Sequence, residues 1–213
     1  MSQLLRVHNI TVSSDGYGAG EGQSLERPFG HADPGEMFRW AFTTASWPNR
    51  AEPGGSRGFE DHLTREFHRD VGAEIMGARK FSPHRGPWAD HEWQGWWGDE
   101  PPFHTPVFVM THHLRPSFSL ADTTFHFVDD EPAAVLEQAR EAADGRDVRL
   151  GGGVTLIRSF LEAGLVDTMH VAVSPVELGG GSRLWESPDE LTDRFEVDVV
   201  PRPDGVTHYL FWR

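Results

Sequence analysis

Residues 149–155 read Arg149-Leu150-Gly151-Gly152-Gly153-Val154-Thr155: a strand end, three glycines and a helix start. Val148–Leu150 is the strand before them. After them Val154, Leu156, Ile157, Phe160 and Leu161 recur on one helical face, and Gly164 closes the helix. A strand–glycine–helix turn lets backbone come close to a diphosphate, and the helix start offers free N–H groups and a favourable dipole. Thr155 adds a hydroxyl. No Lys-Ser or Lys-Thr follows, so this is not a Walker loop, and no third spaced glycine makes it G-x-G-x-x-G. Taken alone, three glycines serve a ligand-free tight turn equally well.

Working outward, Leu4–Val12 alternates apolar and polar residues as a strand, and Ser13-Ser14-Asp15-Gly16 ends it in a turn. Tyr17–His31 reads as a loop. Asp33-Pro34 opens a helix with Met37, Phe38, Ala41, Phe42 and Ala45 on one face and Pro48 as its stop. Asn49–Gly58 reads as a glycine-rich loop, and Phe59, Leu63 and Phe67 mark a helix over Phe59–Val71. Ala73–Gly77, Val107–Met110 and Thr124–Val128 are buried strands. Asp130 and Pro132 open a helix that reaches Ala143 and closes at Gly145. Val166–Val176 is a long strand, glycines 179–181 turn the chain, and Phe195–Val200 and Val206–Trp212 form a hairpin about Pro203-Asp204-Gly205. Strands alternating with helices predict an α/β fold with a mainly parallel sheet covered on both faces and antiparallel strands at one edge. The chain, 1–213, reads as one domain with a tryptophan-rich insert at 81–106.

The 213 residues are 38% hydrophobic and 24% charged, ordinary for a globular chain. A formal net charge of −14 opposes nucleic acid and anionic membranes, so the expected partner is a small molecule. The absence of cysteine excludes disulfides, thiolate catalysis and cysteine-held metals, and fits a reducing cytosol. Arg6, His8 and Asn9 interrupt any signal-peptide core, and no run approaches a membrane span, so the expected location is cytoplasmic. His84, His91, His104, His112 and His113 cluster in sequence without H-E-x-x-H spacing and are read as surface or core histidines, with no metal expected.

From Gly151 onward, GGGVTLIRSFLEAGLVDTMHVAVSPVELGGGSRLW resembles the C-terminal reductase domain of bacterial riboflavin biosynthesis proteins, within the wider dihydrofolate reductase-like family. The likeness spans nearly the whole chain and includes SSDG (13–16), IMGARKF (75–81) and VFVMTHH (107–113). The pairing of GGG-helix-GLVD with SPVELGGG is its specific part. The resemblance implies a three-layer αβα sandwich around a mixed, mainly parallel eight-stranded sheet with a C-terminal antiparallel hairpin. NADPH, or NADH, would lie across the carboxyl ends of the strands. Leu150, Gly151, Gly152, Gly153, Val154 and Thr155 would hold its diphosphate and nicotinamide ribose, with a cis peptide joining Gly151 to Gly152. Gly77, Arg79 and Lys80 would lie under the adenosine phosphates, although both cations read equally as solvated surface charges, and Ala78 stands where many relatives carry Arg. Thr111, His112 and His113 would meet the adenosine ribose and its 2′-phosphate, and Thr11 and Gly18 would also line the cofactor.

The same resemblance places Asp15 beside the nicotinamide as proton donor or substrate contact, with water as the other proton source; Asp-Gly is also an ordinary turn. Trp40, Trp88, Trp96 and Trp97 would stack on a flat substrate, while the insert would equally bury a dimer interface. The implied reaction is hydride transfer to a small heterocyclic or carbonyl substrate, like the reductase that acts on a ribosylamino-pyrimidine. Two departures stand out. Gly151 replaces the Glu that riboflavin enzymes carry before two glycines, and the first helix offers only Glu36 for the acidic pterin contact of folate reductases. A non-catalytic nucleotide-binding or partner-binding protein is the alternative, and a homodimer is the expected assembly.

Overall fold

A computed structural model describes residues 3–47, 54–84, 86–89 and 91–213. The expected stop at Pro48 and the first part of the 49–58 loop lie outside the described residues. In chain order the elements are β1 (Leu5–Val12), β2 (Tyr17–Ala19), α1 (Pro34–Met37), α2 (Arg39–Phe42), α3 (Phe59–Arg65), β3 (Val71–Gly77) and α4 (Ala78–Phe81). There follow β4 (Pro106–Met110), β5 (Phe118–Leu120), β6 (Thr123–Val128), α5 (Pro132–Ala142), β7 (Asp147–Leu150) and α6 (Val154–Glu162). The chain closes with β8 (Thr168–Val173), β9 (Ser182–Arg183), β10 (Glu196–Pro201) and β11 (Thr207–Trp212).

The large sheet has nine strands in the order β10-β11-β8-β1-β7-β3-β4-β6-β5, one more than the eight expected. The added strand is β5. Its three residues pair antiparallel with β6, Phe118 opposite Phe125, across a turn where Ala121 takes a positive φ of 48°. Otherwise the expectation holds: the sheet is mixed and mainly parallel, helices flank it, and β10 and β11 form the antiparallel C-terminal pair. The chain divides into two compact units, one of residues up to Val7 with Asp70–Thr168, the other of His8–Arg69 with Met169–Arg213.

In the first unit Met76, Phe81, Phe103, Val107, Val109, Phe125 and Phe127 form a core, on which Trp88, Trp93 and Trp97 of the insert pack. β3, β4, β6 and β7 are parallel, so their carboxyl ends and the turns that follow them point the same way. The glycine corner after β7 and the start of α4 after β3 are therefore neighbours, which is what positions the candidate site.

In the second unit Trp40, Ala41, Ala172 and Val206 make the core. Asp33 caps α1 as expected, its carboxylate accepting from the amides of Gly35 and Glu36. The single helix expected there breaks at Phe38 (φ −101°, ψ 15°) and resumes as α2. Phe38 packs against Phe29 at 5.0 Å and Phe42 at 5.7 Å, so ring contacts rather than an unbroken backbone ladder set this segment. The helix expected to reach Val71 ends at Arg65 with a 3₁₀ turn over Glu66–His68, because Asp70 takes a positive φ of 56° and Val71 starts β3. Tyr17–Ala19, expected as loop, is β2 and pairs with β9.

Candidate functional site

β7 keeps its ladder through the first glycine: the Gly151 amide donates to the Ile75 carbonyl at 2.9 Å. The next residue turns away, with Gly152 at φ +95°, and its carbonyl accepts from the Gly77 amide at 2.9 Å. The cis peptide joins Gly152 to Gly153, not Gly151 to Gly152 as expected. The difference follows from the ladder, which holds Gly151 in register with β3 and moves the turn one residue on. Gly153 then begins α6 without a side-chain cap, and the first turn of α6 carries no acidic residue. A Cβ built on Gly153 meets nothing within 4 Å. On this side the corner thus offers open space, uncapped helix amides and no acidic residue in the helix's first turn, conditions that suit a diphosphate.

The other face of the corner is occupied. A Cβ on Gly151 would fall 2.2 Å from Glu74 Oε1 and 2.6 Å from Lys80 Nζ. Glu74 is buried in β3, opposite Arg149 of β7. Arg149 Nη1 donates to Glu74 Oε2 at 2.6 Å and Lys80 Nζ donates to Oε1 at 2.9 Å. Burial pushes the Lys80 ammonium below its ordinary range and Arg149 adds to this, while Glu74 works the other way. Burial likewise lowers Arg149 against the opposing pull of Glu74. Lys80 is the chain's only lysine, against eighteen arginines. Lys80, expected under the adenosine phosphates, has its ammonium on Glu74 in this structure. Arg79 beside it is exposed and Gly77 lies against Leu156. Glu74 and Arg149 were missed, although a signal existed: an ionisable residue inside a bare apolar strand is costly unless paired.

At the end of β4, the His113 amide donates to Thr111 Oγ1, and His112 stands 92% exposed with Nδ1 2.7 Å from Asp129 Oδ1. Trp88 donates its indole N–H to the His113 carbonyl, and the Arg115 guanidinium lies 5.3 Å from its ring. Trp97 packs on Phe103 and Phe125 at 4.7 and 6.0 Å, and Trp96 meets Trp93 edge-on at 5.0 Å. Arg115 fastens the insert by donating to the carbonyls of Trp93 and His91. Trp88, Trp93 and Trp97 of the insert are thus partly buried, packed against the core of their own chain. Among the described residues no group of three or more His, Asp or Glu could hold a metal ion.

In the second unit, Asp15 accepts hydrogen bonds from Ser13 Oγ and from the amides of Leu178 and Gly179. Burial opposes its charge, but these bonds outweigh it and hold the carboxyl below its usual value. Gly16 is required beside it, since a Cβ there would fall 2.2 Å from the Trp185 carbonyl. Thr11 and Trp40 bond one another, indole N–H to Oγ1 at 2.9 Å. Trp40 is buried and meets His170 and His208 edge-on, so it has no open face for the stacking expected of it. Gly18 lies in β2.

A mainly parallel α/β sheet with an open glycine corner between β7 and α6 defines the class. More particularly, the family model of the RibD C-terminal domain matches residues 7–200, and the chain belongs to that family. The uncharacterized protein YyaP of Bacillus subtilis (strain 168) is 29% identical over 87 residues, 40% of this chain and 45% of YyaP. Among solved structures, a riboflavin-biosynthesis candidate from Shewanella sp. PV-4 superposes with TM-score 0.55 at 21% identity, covering 100% of this chain and 99% of its own. A pyrimidine reductase-like protein of Corynebacterium diphtheriae gives 0.54 at 11% identity, covering 99% and 91%. The Thermotoga maritima diaminohydroxyphosphoribosylaminopyrimidine deaminase/5-amino-6-(5-phosphoribosylamino)uracil reductase gives 0.52 at 14%, and the matched region is 99% of this chain but 56% of that one. At these identities the likeness is one of fold.

Proposed function

We propose that this chain is a nicotinamide-nucleotide-dependent reductase of the riboflavin-pathway type, acting on a small heterocyclic or carbonyl substrate as a homodimer. The observation that carries the reading is the corner at Gly151–Gly153, open at Gly153 and led by uncapped helix amides. A bound nicotinamide supplies the hydride. The chain's own part is to seat the diphosphate against the Gly153 backbone and the start of α6, with Thr155 and Arg79 as further contacts and Thr111 and His112 for the adenosine end. The reduced atom also needs a proton, and in this reading water delivers it, because Asp15 is held ionised by three donors.

Tryptophan fluorescence titrated with NADPH and with NADH tests the proposal. Quenching at micromolar midpoint is expected. Gly153→Ala should fold normally, since its Cβ meets nothing, yet weaken the nucleotide tenfold or more by filling the open side of the corner. Quenching that survives this change unaltered removes the nucleotide from the corner. A wild type that answers to neither nucleotide favours a partner-binding protein. Sedimentation checks the dimer.

A further inference from the structure

The two edges of the large sheet are unlike. β5 ends one side with three residues, and so short an edge offers little to pair with. β10 ends the other side with six residues and pairs with β11 alone. The register fixes which of its backbone groups are left over. The Arg202 amide donates to the Val206 carbonyl, and the pairing continues as Val200 with His208, Asp198 with Leu210 and Glu196 with Trp212. Glu196, Asp198, Val200 and Arg202 therefore turn their amides and carbonyls to β11, and Val197, Val199 and Pro201 turn theirs outward. Pro201 thus stands where its missing N–H takes nothing from the ladder. At the middle of this outward row Val199 is 50% exposed.

A second copy of the chain fits that row. Two identical strands that meet antiparallel about a twofold axis pair residue i with residue j and j with i, and outward groups must face outward groups. The axis then lies at one residue of β10, and the side chains decide which. With the axis at Val197, Glu196 faces Asp198 of the second copy. With it at Asp198, that carboxylate faces itself. With it at Val200, Asp198 gains Arg202, but Val199 and Val197 fall opposite Pro201 and Pro203, which have no N–H to return. With it at Val199, no like charges stand directly opposite. Val199 then exchanges both backbone bonds with its copy, Val197 donates to the Pro201 carbonyl on either side, and Glu196 lies opposite Arg202. Glu196 and Asp198 are exposed and have no ion-pair partner of their own among the described residues. Arg202 is already held in place: its Nε donates to Glu60 Oε1 at 3.2 Å and its guanidinium lies 5.8 Å from the Phe59 ring centre. A guanidinium has further donors for a second carboxylate.

We infer that β10 is the contact surface of a homodimer, in which two copies pair antiparallel about a twofold axis at Val199 with Glu196 of each copy on Arg202 of the other. This rests on the homodimer of the proposed function and gives it a surface other than the tryptophan insert. The acidic residues repel a strand that arrives in another register, and the pairing uses up the edge, so assembly stops at two.

Sedimentation of the wild type across a concentration series measures the dimer, and circular dichroism checks that each variant folds. Val199→Pro removes an outward N–H and none of the bonds to β11, so it should fold and sediment as a monomer. Glu196→Lys, at an exposed position, should weaken the dimer about tenfold, because the change acts on both sides of the axis. The chain has no cysteine, so Val199→Cys carries a single thiol that a short bis-maleimide can join only to another copy. It should cross-link about tenfold faster than Leu114→Cys, whose position is exposed in the first unit. Cross-linking no faster than that control overturns the proposal, as does a dimer indifferent to both Val199→Pro and Glu196→Lys. A dimer that persists in those variants and is lost in Trp97→Ala also overturns it and moves the contact to the insert. A wild type that is monomeric at every concentration sinks the surface and the homodimer together, while the nucleotide titration, which needs neither, still decides the reductase reading.

Discussion

Glu74 on β3 and His208 on β11 are both buried ionisable side chains, and they differ in what burial has done to their charge. Glu74 is paired, with Arg149 and Lys80 each donating to one of its oxygens. His208 has lost its charge: burial first, and Arg202 second, push its pKa down to about 4. Its Nδ1 lies 2.9 Å from His170 Nε2, and His170 Nδ1 lies 2.8 Å from Asn9 Oδ1. Since Asn9 Nδ2 donates to the Leu63 carbonyl, Asn9 Oδ1 is the acceptor, and the network assigns the protons along the row from His208 to His170 to Asn9. His208 Nε2 is left facing Glu60 Oε1 at 3.6 Å. One cluster is built from ion pairs and leaves an ammonium partly exposed. The other is neutral and closed, as a core element does.

The largest test of that contrast is Arg149→Met, which leaves Glu74 short of one cation and should cost about 3–5 kcal/mol in urea unfolding. A cost below about 1 kcal/mol would make the first cluster as undemanding as an apolar core. Next comes acid. Between pH 6.5 and about 4 the unfolded chain protonates His208 and the folded chain does not, so stability is complete above 6.5 and falls as pH drops through that window, by roughly 3 kcal/mol in total. His170, also pushed well below its ordinary value by burial, adds to the fall. His208→Leu should flatten the profile, and a wild-type profile already flat from pH 7 to 4 would mean that the pair is charged. Lys80 has the opposite timing: its depressed pKa means that burial of the ammonium costs stability at neutral pH and is relieved in alkali. Smaller is Trp97→Ala, expected to cost about 2 kcal/mol because the ring is half-buried, with nucleotide affinity unchanged. Lost affinity at full stability would restore the insert to the binding site. Smallest is Asp15→Asn, at about 1 kcal/mol with turnover retained; abolished turnover would return the proton to Asp15.

Long patterns were legible and short ones were not. The run from Val148 to Gly164 gave strand, glycine turn, helix and stop close to where they lie, because period and punctuation agree there. Phe118-Ser119-Leu120 is too short for any period, and its turn is built on Ala121 rather than on glycine, so β5 left no trace. At the site, the open backbone at Gly153 was readable from composition. What faces Gly151 was not, since Glu74 and Lys80 come from another strand and its following helix and meet it only through sheet register. The tryptophans are ambiguous for a related reason: an indole that lines a pocket and one that packs on Phe125 look the same in sequence.

Three successive glycines are the stretch of chain that loses most freedom when fixed. Here the bonds from Gly151 to Ile75 and from Gly77 to Gly152 tie the first two of them to β3, and the Gly153 carbonyl accepts from the Leu156 and Ile157 amides of α6, in the free protein. The ordering cost is thus met during folding rather than at capture, so a ligand should arrive with a small loss of chain entropy. The amides of Gly77 and Gly151 should then be among the slower to exchange with deuterium even with nothing bound.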